Sequence, residues 1–313
     1  MRFVRTPFVL SIFILVSAAL LAQTPVTPNA RTPEELAKSV NKQLETNKTL
    51  VLNLFREILE ARHMELADKY LADDFIQHNP NAANGLAALK QYFSAQNNPA
   101  RDIQPKVQRK MVALMAEGDI VLAVSPRELA DPKDKTKKYT TVGFDMYRIR
   151  NGKVIEHWDA ALKNANAPTA AYTPVTPDSR LAEDLMKSSD KKLEANKTLI
   201  VNMWREAIEG RQREAIGKYF APNFVQHAAT MAPGLEGINN MVNRGQPQAV
   251  PAKTGLRPSA LIAEGDLVAA VFPRQYADPK DASKKYSTAG LELYRIESGK
   301  IVEHWDEHEK SGN

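Results

Sequence analysis

Two stretches of this chain pair an imidazole with a carboxylate at a spacing that chemistry can use. "VIEHWDA" carries Glu156, His157, Trp158 and Asp159, and "IVEHWDE" carries Glu303, His304, Trp305 and Asp306. Along an extended strand, side chains alternate between faces. His157 and Asp159 therefore share one face and Glu156 and Trp158 the other, and the second copy repeats this with His304 and Asp306 against Glu303 and Trp305. A carboxylate enclosed in a mostly apolar pocket has its pKa raised by desolvation and can exchange protons near neutral pH. An adjacent imidazole can orient it or share the proton, which is the equipment for moving a proton beside a carbonyl. The same residues also fit a satisfied core histidine and an acid paired with Arg or Lys. A third arrangement joins His78, His157 and Asp159 as two histidines and one carboxylate around a metal, although nothing in the spacing enforces it.

The elements that position these residues are written twice. "NKTL" begins at Asn47 and Asn196, and "FIQH" and "FVQH" end at His78 and His227, both pairs 149 apart. "AEGD" begins at Ala116 and Ala263, "ADPKD" at Ala130 and Ala277, and "YRI" at Tyr147 and Tyr294, all 147 apart. One net deletion of two residues between the histidine and "AEGD" accounts for the change. The period is far too long for a solenoid and is that of a domain. Four of the six histidines, His78, His157, His227 and His304, fall at equivalent positions. His63, near a helix end, and His308, in a charged tail, have no counterpart.

Within one copy, helical periodicity spans about residues 33–62, with Leu50, Leu54, Ile58 and Leu59 on one face. A short helix carrying Leu66 and Tyr70 follows, then a strand "DDFIQH" and a helix "LAALKQYF". Two strands are predicted to join at Glu117-Gly118-Asp119. The final pair, "KYTTVGFDMYRIR" and "KVIEHWDAAL", flanks Asn151-Gly152, a strong hairpin signal, with Ser298-Gly299 at that turn in the second copy. Helices followed by an antiparallel sheet indicate an α+β domain. A curled sheet has an enclosed concave face, to which His157 and Asp159 are assigned, and a convex face for Trp158, against the other domain.

These residues identify a family. "FIQHNP", a helix start containing glycine, "EGD" before a strand and "YRIRNGKVIEHWD" resemble the SnoaL-like polyketide cyclases, from about Asn47 to Leu162 and again from Asn196 to His308. The resemblance implies a nuclear transport factor 2-like fold: two tandem cone-shaped domains, each with helices packed in a curved antiparallel sheet around a cavity. It implies an acid/base role for Asp159 with His157 lining the same pocket, and for Asp306 with His304. It also places His78 and His227 in the cavities, with Gln77, Asn79, Asp145, Gln226 and Glu292 as further pocket residues, and implies neither metal nor organic cofactor. The chain departs from the family at Asp145 and Glu292, where the cyclases can carry another histidine, and at Ala228-Ala229, where the first copy has Asn79-Pro80.

Three functions follow as expectations: a cofactor-independent cyclase, isomerase or lyase acting on a small apolar carbonyl compound; a non-catalytic small-ligand binder; and a pseudo-dimer fused within one chain. The last is compatible with either of the others. Composition bounds them. The 313 residues, 43% hydrophobic and 25% charged, suit a globular protein of two domains. The net charge of +5 lacks the basic runs of a nucleic-acid binder. "MRFVR" followed by an apolar run ending in small residues has the layout of a signal peptide cleaved after Ala22, which would remove Arg2 and Arg5 and lower the charge to +3 (5 − 2). Export, with no cysteine in the chain, indicates a periplasmic or secreted protein free of the membrane after cleavage. The predicted organisation is a signal peptide at 1–22, domain 1 at 23–165, a linker at 166–175 and domain 2 at 176–313.

Overall fold

The computed structural model describes residues 23–96, 98–166 and 172–311. The signal peptide expected at 1–22 and residues 167–171 of the expected linker lie outside them. Among the described residues no helix is long and apolar enough to cross a membrane.

Domain 1 begins with α1 (Pro33–Ala37), closed by a capping box in which Thr32 and Glu35 satisfy each other's backbone N–H groups. The continuous helix predicted over 33–62 is interrupted after it. Asn41 turns its side chain onto the N–H groups of Gln43 and Leu44 and starts a new helix, α2 (Lys42–Leu54). The last turns, Phe55–Glu60, are π-helical, and Trp204–Glu209 repeats this in domain 2. Such π-helical turns are rare and concentrate at functional sites. A 3-10 turn (Met64–Lys69), β1 (Leu71–Gln77), α3 (Leu86–Ala95), β2 (Ala113–Glu117), β3 (Ile120–Ala130), β4 (Lys138–Arg150) and β5 (Lys153–Asp159) complete the domain. Domain 2 runs α4 (Ala182–Leu185), α5 (Lys191–Met203), α6 (Glu214–Tyr219), β6 (Phe220–Gln226), α7 (Gly234–Val242), β7 (Ala260–Glu264), β8 (Leu267–Asp278), β9 (Asp281–Glu297) and β10 (Lys300–Asp306).

Each domain holds one five-stranded sheet, in the order β1-β5-β4-β3-β2 and β6-β10-β9-β8-β7. The sheets are mixed rather than wholly antiparallel: β1 runs parallel to β5, and β6 to β10. No hairpin joins these strands, so the connection leaves their direction free. The β4–β5 turn has Asn151 and Gly152 at φ 52° and 70°, and the β9–β10 turn has Ser298 and Gly299 at 49° and 72°, the positive angles that a type I′ turn requires at both positions.

The helices pack on one face of each sheet, around Phe55, Ile58 and Tyr147 in domain 1 and Trp204, Ile216 and Tyr294 in domain 2. The opposite faces pack against each other in a third core that joins Leu122, Met146 and Trp158 to Ile262, Leu293 and Trp305. The contacts are reciprocal, as a twofold interface demands. Lys48 Nζ reaches Glu264 Oε1 at 2.6 Å, and Lys197 Nζ reaches Glu117 Oε1 at 2.7 Å. The two "TPVTP" arms cross over: Thr24 O bonds His227 Nδ1 of domain 2, while Thr173 O bonds His78 Nδ1 of domain 1. The tandem domains thus form an intrachain pseudo-dimer.

Candidate active site

In domain 1 the concave face and the helices enclose a cavity of about 180 Å³. Leu54, Ile58 and Leu59 reach it from the end of α2 and its π-helical turn, and Tyr92 and Phe93 from α3. The polar wall comes from two adjacent strands and the end of β1: Asp145 and Tyr147 on β4, His157 and Asp159 on β5, with Gln77 and Asn79. Asp145 lies directly opposite Asp159, and Tyr147 opposite His157. Tyr147 and His157 stack with ring centroids 4.8 Å apart.

The hydrogen bonds define the charges. Gln77 Oε1 accepts the Asn79 N–H at 3.0 Å, which fixes that atom as the acceptor end of the amide. His157 Nδ1, at 2.9 Å from the same oxygen, therefore donates to it. The other ring nitrogen, Nε2, faces Asp145 Oδ1 at 3.3 Å. Both nitrogens thus point at acceptors, which an imidazolium satisfies. Arg109 holds the second oxygen of Asp145 at 2.6 Å. Burial pushes Asp145 up, but the hydrogen bond from His157 and the charge of Arg109 outweigh it, and its pKa is lowered. Burial pushes His157 down, but the hydrogen bond to Asp145 and the charges of Asp159 and Asp145 raise its pKa.

Asp159 behaves oppositely. It accepts from Asn79 Nδ2 at 2.7 Å and from the Ala161 N–H at 3.1 Å, and among the described residues no cation pairs with it directly. Burial raises its pKa, and the Asp145 charge adds to this against the opposing pull of His157. Two neighbouring carboxylates pushed apart in pKa are the signature of divided acid/base roles. The Tyr147 hydroxyl stays a donor, because burial and the Asp145 charge raise its pKa well above the usual phenol value.

His78 and His227 do not line the cavities, contrary to the expectation for them. His78 stacks on Trp158 with centroids 4.8 Å apart and bonds Glu156 at 2.9 Å. His227 repeats this with Trp305 and Glu303. Gln77 faces the cavity, and alternation sends His78 to the opposite side. A metal site built on His78, His157 and Asp159 is therefore not assembled. Donor atoms of Asp145, His157 and Asp159 do lie within 4.8 Å of one another, close enough to share an ion. Arg109 and His157 already supply positive charge to Asp145 there, so this donor set fits an ion pair better than a metal.

The domain 2 cavity, about 540 Å³, repeats the wall with changes. His304 bonds Gln226 at 2.9 Å and Glu292 at 2.8 Å. The arginine on Glu292 is Arg274 of β8, at 2.8 Å, whereas position 256, equivalent to Arg109, is a leucine. Asp306 has no asparagine partner. Instead its Oδ2 lies 3.3 Å from His308 Nδ1, and the hydrogen bond to Asp306 raises His308 to about 8. The sequence signals found neither Arg109, in the irregular segment before β2, nor His308, beyond the end of β10. His308, in the charged tail, lines the cavity.

None of the curated proteins compared matches the chain. Among solved structures it is similar to a polyketide-cyclase candidate from Acidithiobacillus ferrooxidans, at 20% identity over 39% of this chain and 89% of that one (TM-score 0.27). TsrD from Streptomyces laurentii is 20% identical over 38% and 90% (TM-score 0.26). TerC, co-crystallized with polyporic acid, is 15% identical over 36% and 89% (TM-score 0.27). The family models divide the chain as its internal repeat does. The model of the SnoaL-like domain matches residues 51–157, and that of the SnoaL-like polyketide cyclases matches residues 198–312. The first match begins within α2 and ends at His157 within β5, the second begins within α5 and takes in the whole of β10, and the chain belongs to the SnoaL-like family as two tandem copies of its domain.

Proposed function

We propose that domain 1 is a cofactor-independent acid/base catalyst of the aldol cyclase or isomerase type, acting on a small, largely apolar carbonyl compound. The observation that carries this is the opposed pair of carboxylates. Asp145 is held as an anion by Arg109 and His157, which leaves Asp159 as the group that takes up and returns a proton. Asp159 removes the proton beside the substrate carbonyl, and the Tyr147 hydroxyl donates to the oxygen on which negative charge develops. His157 has both nitrogens engaged, so its part is to hold Asp145 and to place positive charge near Asp159. The apolar side of the cavity, with Ile58, Leu71, Phe75 and Leu89, excludes water from the exchanging proton. The family membership supports this class of chemistry. Export to the periplasm or medium is part of the same proposal and rests on the first 22 residues of the sequence.

The test needs no knowledge of the natural substrate. Small ketones in heavy water are followed by proton NMR for exchange of the hydrogen beside the carbonyl. Wild type accelerates the exchange and Asp159→Asn does not. Equal exchange in both proteins across a panel of ketones removes the proposal. The competing function, ligand binding without turnover, is favoured only in domain 2, where Asp306 is paired with His308.

A further inference from the structure

The two cavities have diverged in size and charge. In domain 1 the α3 aromatics Tyr92 and Phe93 fill the cavity. Their counterparts at the 149 offset are Met241 and Val242, and the domain 2 cavity is about 540 Å³ against about 180 Å³. The larger volume falls in the range of sites that enclose an organic ligand. Its apolar wall includes the methionine and aromatic side chains Met203, Met231, Met241, Trp204 and Phe272, an adaptable lining.

The charged groups on that wall are Arg244, Arg274, Glu292, His304, Asp306 and His308. Arg274 and His304 both engage Glu292, and His308 engages Asp306. Arg244 differs from them all. It sits just past the end of α7 at the cavity's exposed edge, and among the described residues its guanidinium has neither hydrogen bond nor ion pair. The equivalent position in domain 1 is Ala95, and no lysine or arginine lines that cavity. A large apolar pocket with one uncommitted cation at its mouth is complementary to a molecule with an apolar body and an anionic end.

We propose that the domain 2 cavity is a binding site for an amphipathic carboxylate, whose apolar body packs among Met203, Trp204, Met241 and Phe272 while Arg244 receives the carboxylate. This gives the two domains different ligands and does not depend on catalysis in domain 1.

Isothermal titration of the full chain with 1-naphthylacetate and with its neutral amide tests the site. The carboxylate binds more tightly than the amide. Arg244→Ala weakens the carboxylate about fivefold, the size of a partly exposed ion pair, and leaves the amide unchanged. Met241→Trp, which fills the cavity, abolishes binding of both, and Asp159→Asn changes neither. Equal binding of the two probes in wild type and Arg244→Ala overturns the proposal. So does binding that survives Met241→Trp, or no binding of either probe. Loss of ketone exchange in Asp159→Asn with unaltered probe binding separates the two sites.

Discussion

Asp145 and Asp159 stand directly opposite each other on β4 and β5, yet their surroundings drive them in opposite directions, the first toward the anion and the second toward the acid. The difference lies in their partners: Arg109 and His157 for Asp145, against an amide and a backbone N–H for Asp159.

This asymmetry separates activity from stability in Asp159→Asn. A general base acts only when ionised, so ketone exchange by wild type rises with pH through a pKa above the ordinary carboxylate range. The variant loses roughly 10²–10⁴-fold, the usual contribution of a positioned base. Stability moves the other way. The folded pKa of Asp159 is raised above its unfolded value, so its contribution is full below the unfolded pKa and is lost as pH rises through the folded pKa. Asparagine has no charge to bury. The asparagine Nδ2 faces one of the two N–H donors that hold Asp159, a cost that is the same at every pH, so thermal melts show the variant gaining on wild type as pH rises. A difference between the two proteins that does not change with pH contradicts the burial of a charge at Asp159.

His78→Ala has the reverse pattern. The ring bridges Glu156 and Thr173 O and stacks on Trp158, on the face away from the cavity. Its removal costs about 1–3 kcal/mol of stability, through a lost stacked contact and the lost hydrogen bonds to Glu156 and Thr173 O. Urea titration reads that loss, and ketone exchange per folded molecule is unchanged. A drop in exchange to the level of Asp159→Asn would put His78 in the catalytic machinery after all.

Much of this was legible in the sequence because it rests on local periodicity. Strand alternation is enough to bring His157 and Asp159 to one face, and Asn151-Gly152 is enough to specify the hairpin of β4 and β5, but the turn register alone would set Asp145 opposite Trp158, and a one-residue register shift between Arg148 and Ile149 brings Asp159 opposite instead. The family resemblance, by contrast, grouped His78 with the cavity, although Gln77 points inward and its neighbour must point out. Arg109 lies in an irregular segment with no period to read, and it has no equivalent in the second copy, where Arg274 supplies the charge from strand β8. The parallel pairing of β1 with β5 joins strands far apart in the chain, and no turn motif announces it. His308 follows the last strand, where alternation ends, and only the packing of the chain end back over the cavity reveals it.

Thr288 links the domain interface to the candidate base. Its hydroxyl lies 3.2 Å from Asp159 O and 2.9 Å from Ala161 O, across the interface from domain 2. Asp159 Oδ1 accepts from the N–H of the same Ala161, so domain 2 pins the turn that orients the carboxylate. Thr141 approaches Asp306 O and His308 O in the reciprocal way. Thr288→Val keeps the shape and removes the donor. One net hydrogen bond is worth about 1 kcal/mol, so exchange at saturating ketone falls about fivefold, KM is unchanged and Thr288→Ser restores the rate. A KM effect without a rate effect would assign Thr288 to the interface alone.

The reciprocal lysines make the interface itself testable. Lys48 is buried, and it spends its charge on Glu264 and on the Leu36 and Lys38 carbonyls. Glu264 also takes the Ala116 N–H, so one carboxylate ties α2 and β2 of domain 1 to β7 of domain 2. Removing one partner of a buried pair leaves the other charge uncompensated, at about 3 kcal/mol. Glu264→Gln therefore lowers the unfolding free energy by about that amount, somewhat less to the extent that the half-exposed glutamate was already screened. Glu117→Gln does the same from the other side through Lys197. The two pairs interlock, because Glu264 takes the Ala116 N–H beside Glu117 and Glu117 takes the Ala263 N–H beside Glu264, so the loss in the double variant departs from the sum of the single losses. If domain 1 and domain 2 instead unfold in separate transitions in wild type, the pseudo-dimer core around Trp158 and Trp305 does not couple them, and neither glutamate would change the melting of the opposite domain.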